Sequence, residues 1–111
     1  MFSVAEYIHG LHAIRRRMNQ KQYEILRAQY SAPNRTATAS QLAKAIGYLN
    51  FGGVNLQYGK LGRLLSDELG RLPKRRGNGT YSWWRVLSSG FSSNSSFLWT
   101  MHPALATALS E

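Results

Sequence analysis

TASQLAKAIGYLNFGGVNLQYGKLGRLLSDELG, residues 38–70, holds two helical patterns separated by a glycine-containing turn. Thr38 and Gln41 stand three apart as in a capping box, where each side chain bonds the other residue's backbone N–H and opens a helix. Leu42, Ala45 and Ile46 supply a short apolar face, and Gly47 is a natural C-terminal stop because it enters the left-handed region freely. Residues 48–53 read as a turn, with Gly52 and Gly53 its most flexible part. Beyond it Val54, Tyr58, Leu61, Leu65 and Leu69 recur at helical spacing and make one narrow apolar arc. Leu64 borders the arc; Asn55, Leu56, Gly59, Lys60, Arg63 and Asp67 lie opposite, and Gly70 closes the helix. Gly59 and Gly62 together weaken it by about 2 kcal/mol relative to alanine. Tight packing is the favoured reason for them, and close approach of a ligand phosphate to the backbone is the other.

Upstream, two more capping boxes appear. Ser3 with Glu6 opens a helix whose stripe is Val4, Tyr7, Ile8, Leu11, Ile14 and Met18. Asn19 with Gln22 opens a second, carrying Tyr23, Leu26 and Tyr30, which breaks at Pro33 because the residue before proline leaves helical geometry. Downstream, residues 71–79 form a basic loop punctuated by Pro73, Gly77 and Gly79. Residues 80–87, rich in aromatic and β-branched side chains, predict a strand. Residues 88–96 predict a serine-rich turn region, and residues 97–101 a second strand, so the hairpin should have a loose tip. Pro103 suits the first position of a closing helix through Ala104, Leu105, Ala108 and Leu109.

A short helix, a glycine-containing turn, a longer helix and a hairpin follow the order of a winged helix-turn-helix domain. The expected fold is therefore mainly α, of α+β class: four N-terminal helices, a β-hairpin wing and a short C-terminal helix. One winged-helix-like domain over residues 1–111 is expected, divided into an N-terminal helical extension (1–18), a helical core (19–70), a basic loop and wing (71–102) and a C-terminal helix (103–111). Residues 38–46 would position residues 54–69, the recognition helix, and residues 81–101 would be the wing. The turn from Gly47 to Gly53 exceeds the three or four residues of a strict helix-turn-helix.

Fourteen Lys and Arg against five Asp and Glu give a net charge of +9, the electrostatic footprint of a polyanion binder. The absence of cysteine excludes disulfides and thiolate zinc sites and suits a reducing, cytoplasmic setting. No run reaches the roughly 20 apolar residues of a membrane span. The N-terminus does not read as a signal peptide, because Arg15-Arg16-Arg17 follows the apolar stretch and Glu6 interrupts it. Carboxylates are few and explained by capping and solvation, and His9 with His12 lacks a third metal ligand. Neither catalysis, nor a cofactor, nor a metal is expected.

In the recognition-helix reading, Asn55, Gln57 and Lys60 have the right chemistry for base edges and Arg63 for phosphate. Lys74, Arg75 and Arg76 would flank the duplex, and Arg35 and Lys44 complete the expected nucleic-acid-binding set. Arg15-Arg16-Arg17 reads equally as a phosphate contact or a solvated helix end. Of the tryptophans, Trp84 and Trp99 are expected in the core. Trp83 fits either core or base stacking, since neighbours on a strand face opposite ways.

The run Ala32-Pro33-Asn34-Arg35-Thr36-Ala37-Thr38-Ala39 with Leu42-Ala43, Gly47-Tyr48 and Asn55-Leu56-Gln57-Tyr58-Gly59-Lys60-Leu61-Gly62 resembles a known pattern. With Trp99-Thr100-Met101-His102-Pro103-Ala104-Leu105 and Ala108-Leu109, it is similar to the N-terminal DNA-binding domain of bacterial McrA-like, modification-dependent HNH restriction endonucleases. The likeness covers residues 23–109 and leaves the first helix outside as an addition. It implies a DNA-reading module sensitive to modified cytosine, and no nuclease, since the three histidines are scattered and zinc-binding cysteines are lacking. A chain starting at its own Met1 with reader but no nuclease fits a phage or prophage protein. Duplex DNA is thus the expected partner. The rivals are a protein-binding inhibitor of a nucleic-acid-handling machine, of anti-defence (anti-CRISPR or anti-restriction) type and with a protein partner in a defence or regulatory complex, and an RNA-binding protein.

Overall fold

Local sequence sets the helix starts. Ser3, Asn19 and Thr38 cap helices α1 (Val4–Ile14), α2 (Gln20–Ser31) and α3 (Ala39–Ile46), and Glu6, Gln22 and Gln41 close the three capping boxes. The computed structural model describes residues 2–111. Helix α4 (Phe51–Leu69) begins earlier than the glycine pair suggests, because the Asn50 side chain accepts the Gly52 N–H at 2.9 Å. Gly52 and Gly53 therefore lie in its first turn, and only residues 47–50 connect α3 to α4. Gly53 is there for contact: a Cβ would come within 2.8 Å of the Tyr48 ring. Gly47 and Gly70 end α3 and α4 in the left-handed conformation. Helix α5 (Pro103–Ser110) starts on its proline.

Three antiparallel strands complete an α+β fold, in the order β1 (Thr36–Thr38), β3 (Ser96–Met101), β2 (Ser88–Ser93). β1 was not expected from sequence; it seats Ala37 opposite Trp99. Two expectations for the hairpin are corrected. Residues 80–87 are not a strand: Trp83–Val86 form a 3₁₀ turn lying against α4. Its backbone packs where Gly62 has no side chain, and a Cβ there would lie 2.1 Å from the Trp83 carbonyl oxygen. The Tyr7 hydroxyl donates to the Val86 carbonyl at 2.6 Å, and burial pushes its pKa up to about 12. Residues 88–93 are a strand instead of a turn, pairing from Ser88 with Met101 to Ser93 with Ser96. The tip is tight, because Asn94 and Ser95 alone make the turn, with φ of 49° and 66°, the two-residue geometry that suits twisted strands.

The core joins Tyr7 and Ile14 of α1 to Ile25, Leu42, Tyr58, Leu61, Leu65, Leu87, Met101 and Leu105. α1, expected as an extension, is thus part of the core, and Gly10 sits against the Leu65 and Leu69 side chains. On α3 the buried face includes Ala43, while Ala45 is exposed. On α2 the correction is larger: Gln22 and Gln29 are buried and Tyr23 is 54% exposed. Gln29 is buried because it is satisfied. Its Nε2 donates to Ser88 Oγ at 3.0 Å and to the Trp99 and Arg35 carbonyls at 3.3 Å, and its Oε1 accepts from Tyr58 at 2.6 Å. Ser88 and Tyr58 hydroxyls, 2.5 Å apart, close the ring. Burial raises the Tyr58 pKa well above the ordinary phenol value, so the hydroxyl stays a donor. Among the described residues no helix is long and apolar enough to cross a membrane.

Candidate functional site

The two halves of one α4 face end up differently. Toward its C-terminus, Gly62 and Ser66 are buried, under Trp83 and the Arg71 carbonyl, respectively. Toward its N-terminus, Phe51, Asn55 and Gly59 form one side of an open cleft of about 720 Å³. The start of α3 at Thr38, Ala39 and Ser40 borders it, and Ser95, Ser96 and Phe97 close it from the hairpin tip. Tyr81, Trp83 and Trp84 bring aromatic surface, and Arg76 brings charge.

Each wall has a local cause. Tyr81 is held by an antiparallel bridge to Arg75, whose guanidinium lies 5.6 Å from the Tyr81 ring. Arg76 is positioned by donating from Nε to Ser82 Oγ at 2.5 Å. Trp84 meets Phe97 edge-on at 5.4 Å and tilts toward Trp99 at 6.4 Å. Gly90 makes room for that cluster, since a Cβ would come within 2.5 Å of the Phe97 ring and 2.7 Å of the Trp84 ring. Trp99 is the inner wall, stacked on Tyr58 at 4.3 Å and 7°. Its indole Nε1 is buried with no hydrogen-bond partner among the described residues, an uncommon state for a buried donor.

The expected binding residues are not all brought together. Asn55 and Arg76 line the cleft. Arg63 and Arg75 sit beside it, Arg63 with its guanidinium 5.3 Å from the Trp83 ring and a loose 3.9 Å pair to Asp67. Lys44, Lys60 and Lys74 are exposed and make none of the ion pairs found. Gln57 does not face the cleft but accepts from Asn19 Nδ2 at 2.9 Å, tying α4 to the start of α2. Arg35 lies 4.3 Å over the Tyr30 ring, with φ of 55°, a costly conformation for a long side chain. Trp84, expected in the core, is half-buried at the cleft wall. Phe51, Tyr81 and Phe97 were missed; the clue to Phe97 was Gly90, a strand glycine among aromatics, which marks close approach.

Charge is segregated along the chain. No carboxylate occurs between Glu24 and Asp67 or between Glu68 and Glu111, so the cleft has no acidic lining. The acids pair elsewhere: Glu68 with Arg17 at 2.8 Å, Glu6 with Arg71 at 3.1 Å, Glu24 with Lys21 at 3.5 Å. Exposed Tyr23 belongs to a separate groove between α1, α2 and Leu109, alongside Arg15 and Arg27. His9 and His12 are exposed, and no cluster of three metal-ligating side chains exists among the described residues. His102 is the N-cap residue of α5, but its side chain makes no capping bond and instead donates from Nε2 to the Arg85 carbonyl at 2.7 Å; burial holds its pKa below the usual imidazole value. Compared with family models, curated proteins and solved structures, the chain matches none.

Proposed function

We propose that this chain is a winged-helix-like module that binds nucleic acid, duplex DNA first, and catalyses no reaction on it. The observation that carries this reading is the gathering of Arg63, Arg75 and Arg76 around an aromatic cleft whose lining holds no carboxylate. Cationic side chains beside half-buried rings that line a cleft suit a ligand that is both polyanionic and planar. The four-residue connection 47–50 between α3 and α4, followed by the β2–β3 hairpin, supports the winged-helix part of the reading. In such a fold the N-terminal part of the second helix approaches the groove, and here that part carries Asn55.

Fluorescence anisotropy of a labelled duplex, titrated with salt, tests the reading. If about six basic side chains reach phosphates, log affinity falls against log salt with a slope of about −5. Structured RNA should compete less well than duplex DNA. Absence of duplex binding at low salt sinks the proposal.

A further inference from the structure

We propose that the cleft receives a single unstacked base of the nucleic acid held on this face, sandwiched among the rings of Trp83, Trp84 and Phe97. The proposal rests on the nucleic-acid reading and adds to it a ligand for one cavity. Four observations point there. The volume, about 720 Å³, falls in the range of small-molecule pockets, roughly 300–1,000 Å³. Phe51 and Phe97, large apolar side chains that most folds would cover, are 54% and 47% exposed at its mouth. Gly59 opens the α4 wall, where a Cβ would meet no atom within 4 Å. No internal packing accounts for that glycine, whereas a flat ring sliding against the helix backbone does. Finally, the inner wall holds the unpaired Trp99 indole N–H, a donor for which a base supplies an acceptor once the wall adjusts.

The surroundings select a nucleotide over an isolated aromatic group. Asn55 offers an amide donor and acceptor, Arg76 a cation, and no carboxylate lines the cavity. Arg63 and Arg75, beside Trp83 and Tyr81, are placed for the phosphates on either side of an extruded base. Stacking on rings accepts any base, so the pocket favours bases that leave the helix easily, those already mispaired or unpaired.

The test compares a fully paired duplex with the same duplex carrying one mismatch, with 5-iodouracil at the mispaired position for photo-crosslinking. We expect roughly tenfold tighter binding of the mismatched duplex, because its base is already partly released, and crosslinks mapping by mass spectrometry to Trp83, Trp84 or Phe97. Gly59→Leu, which fills the cleft, and Phe97→Ala, which removes one wall, should each bring the ratio of the two affinities to about one, with melting curves confirming that both fold. Equal binding of the two duplexes, crosslinks outside the cleft, or an unchanged ratio in folded variants overturns the base-in-cleft proposal and leaves duplex binding standing. Failure of both duplexes to bind at low salt overturns the nucleic-acid reading itself.

Discussion

At Gly62 an added methyl carbon would lie 2.1 Å from the Trp83 carbonyl oxygen, whereas at Gly59, one turn nearer the start of α4, it would meet nothing within 4 Å. The same residue type on the same side of one helix thus serves two ends. Gly62 lets a second backbone dock on the helix; Gly59 leaves a wall open. The lesson is that a helix-weakening residue is structural only where a neighbour occupies the space it frees. Where that space is empty, no neighbour within the fold accounts for the glycine.

The largest effect is expected from Gly62→Ala. It forces the 3₁₀ turn off α4 and should cost about 3 kcal/mol or more, beyond ordinary overpacking, read as a large drop in melting temperature. Tyr58→Phe comes next. It removes the donor to Gln29 and strands two buried polar groups, at a cost of about 1–3 kcal/mol by denaturant unfolding. Gly59→Ala should go the other way, stabilising the chain by up to about 1 kcal/mol through helix propensity while weakening binding to nucleic acid. A destabilised Gly59→Ala protein would erase the distinction between the two glycines.

Arg63→Ala probes the ligand side. It should weaken duplex binding a few-fold and reduce the salt slope by about 1, while Arg17→Ala, whose partner is Glu68 on the far end of α4, leaves both nearly unchanged. The smallest effect expected is on pH. The His102 pKa is lowered in the folded state, so its contribution is present above the unfolded value near 6.5 and is lost as pH falls below it. His102→Gln should flatten that part of a stability–pH profile. Tyr7 works at the opposite end: its raised pKa makes stability fall as pH climbs past the ordinary phenol value near 10.

Helix starts were legible because capping is local: Ser3, Asn19 and Thr38 each need only a partner three residues on. The hairpin was not, because its elements are decided at long range. Residues 83–86 have strand-like side chains, yet Gly62 and Tyr7 hold them as a 3₁₀ turn. The serine-rich β2 carries no strand-like composition, and its pairing with β3 is made by backbone. α2 misled for a different reason: Gln29 is buried by partners 29, 59 and 70 residues away, which periodicity cannot register. Of the cleft, Asn55 and Arg76 could be named from helix face and charge, but Phe51 was hidden in an apparent turn. Tyr81 and Phe97 become neighbours of α4 only after the chain has folded back.

The Gln29 ring also bears on how the molecule is made. As the chain leaves the ribosome, N-terminal residues first, the Gln29 amide of α2 and the Tyr58 phenol of α4 can pair with each other, but their remaining bonds wait for Ser88 and Trp99. The cleft shares this schedule, since its walls come from residues 38–59 and 76–99. Neither the buried ring nor the cleft can be complete before residue 99 has emerged, so a fragment ending at Gly70 would hold most of the helices and none of the finished surface. Competence to bind would come late and all at once, when β3 adds Phe97 and Trp99 to the walls.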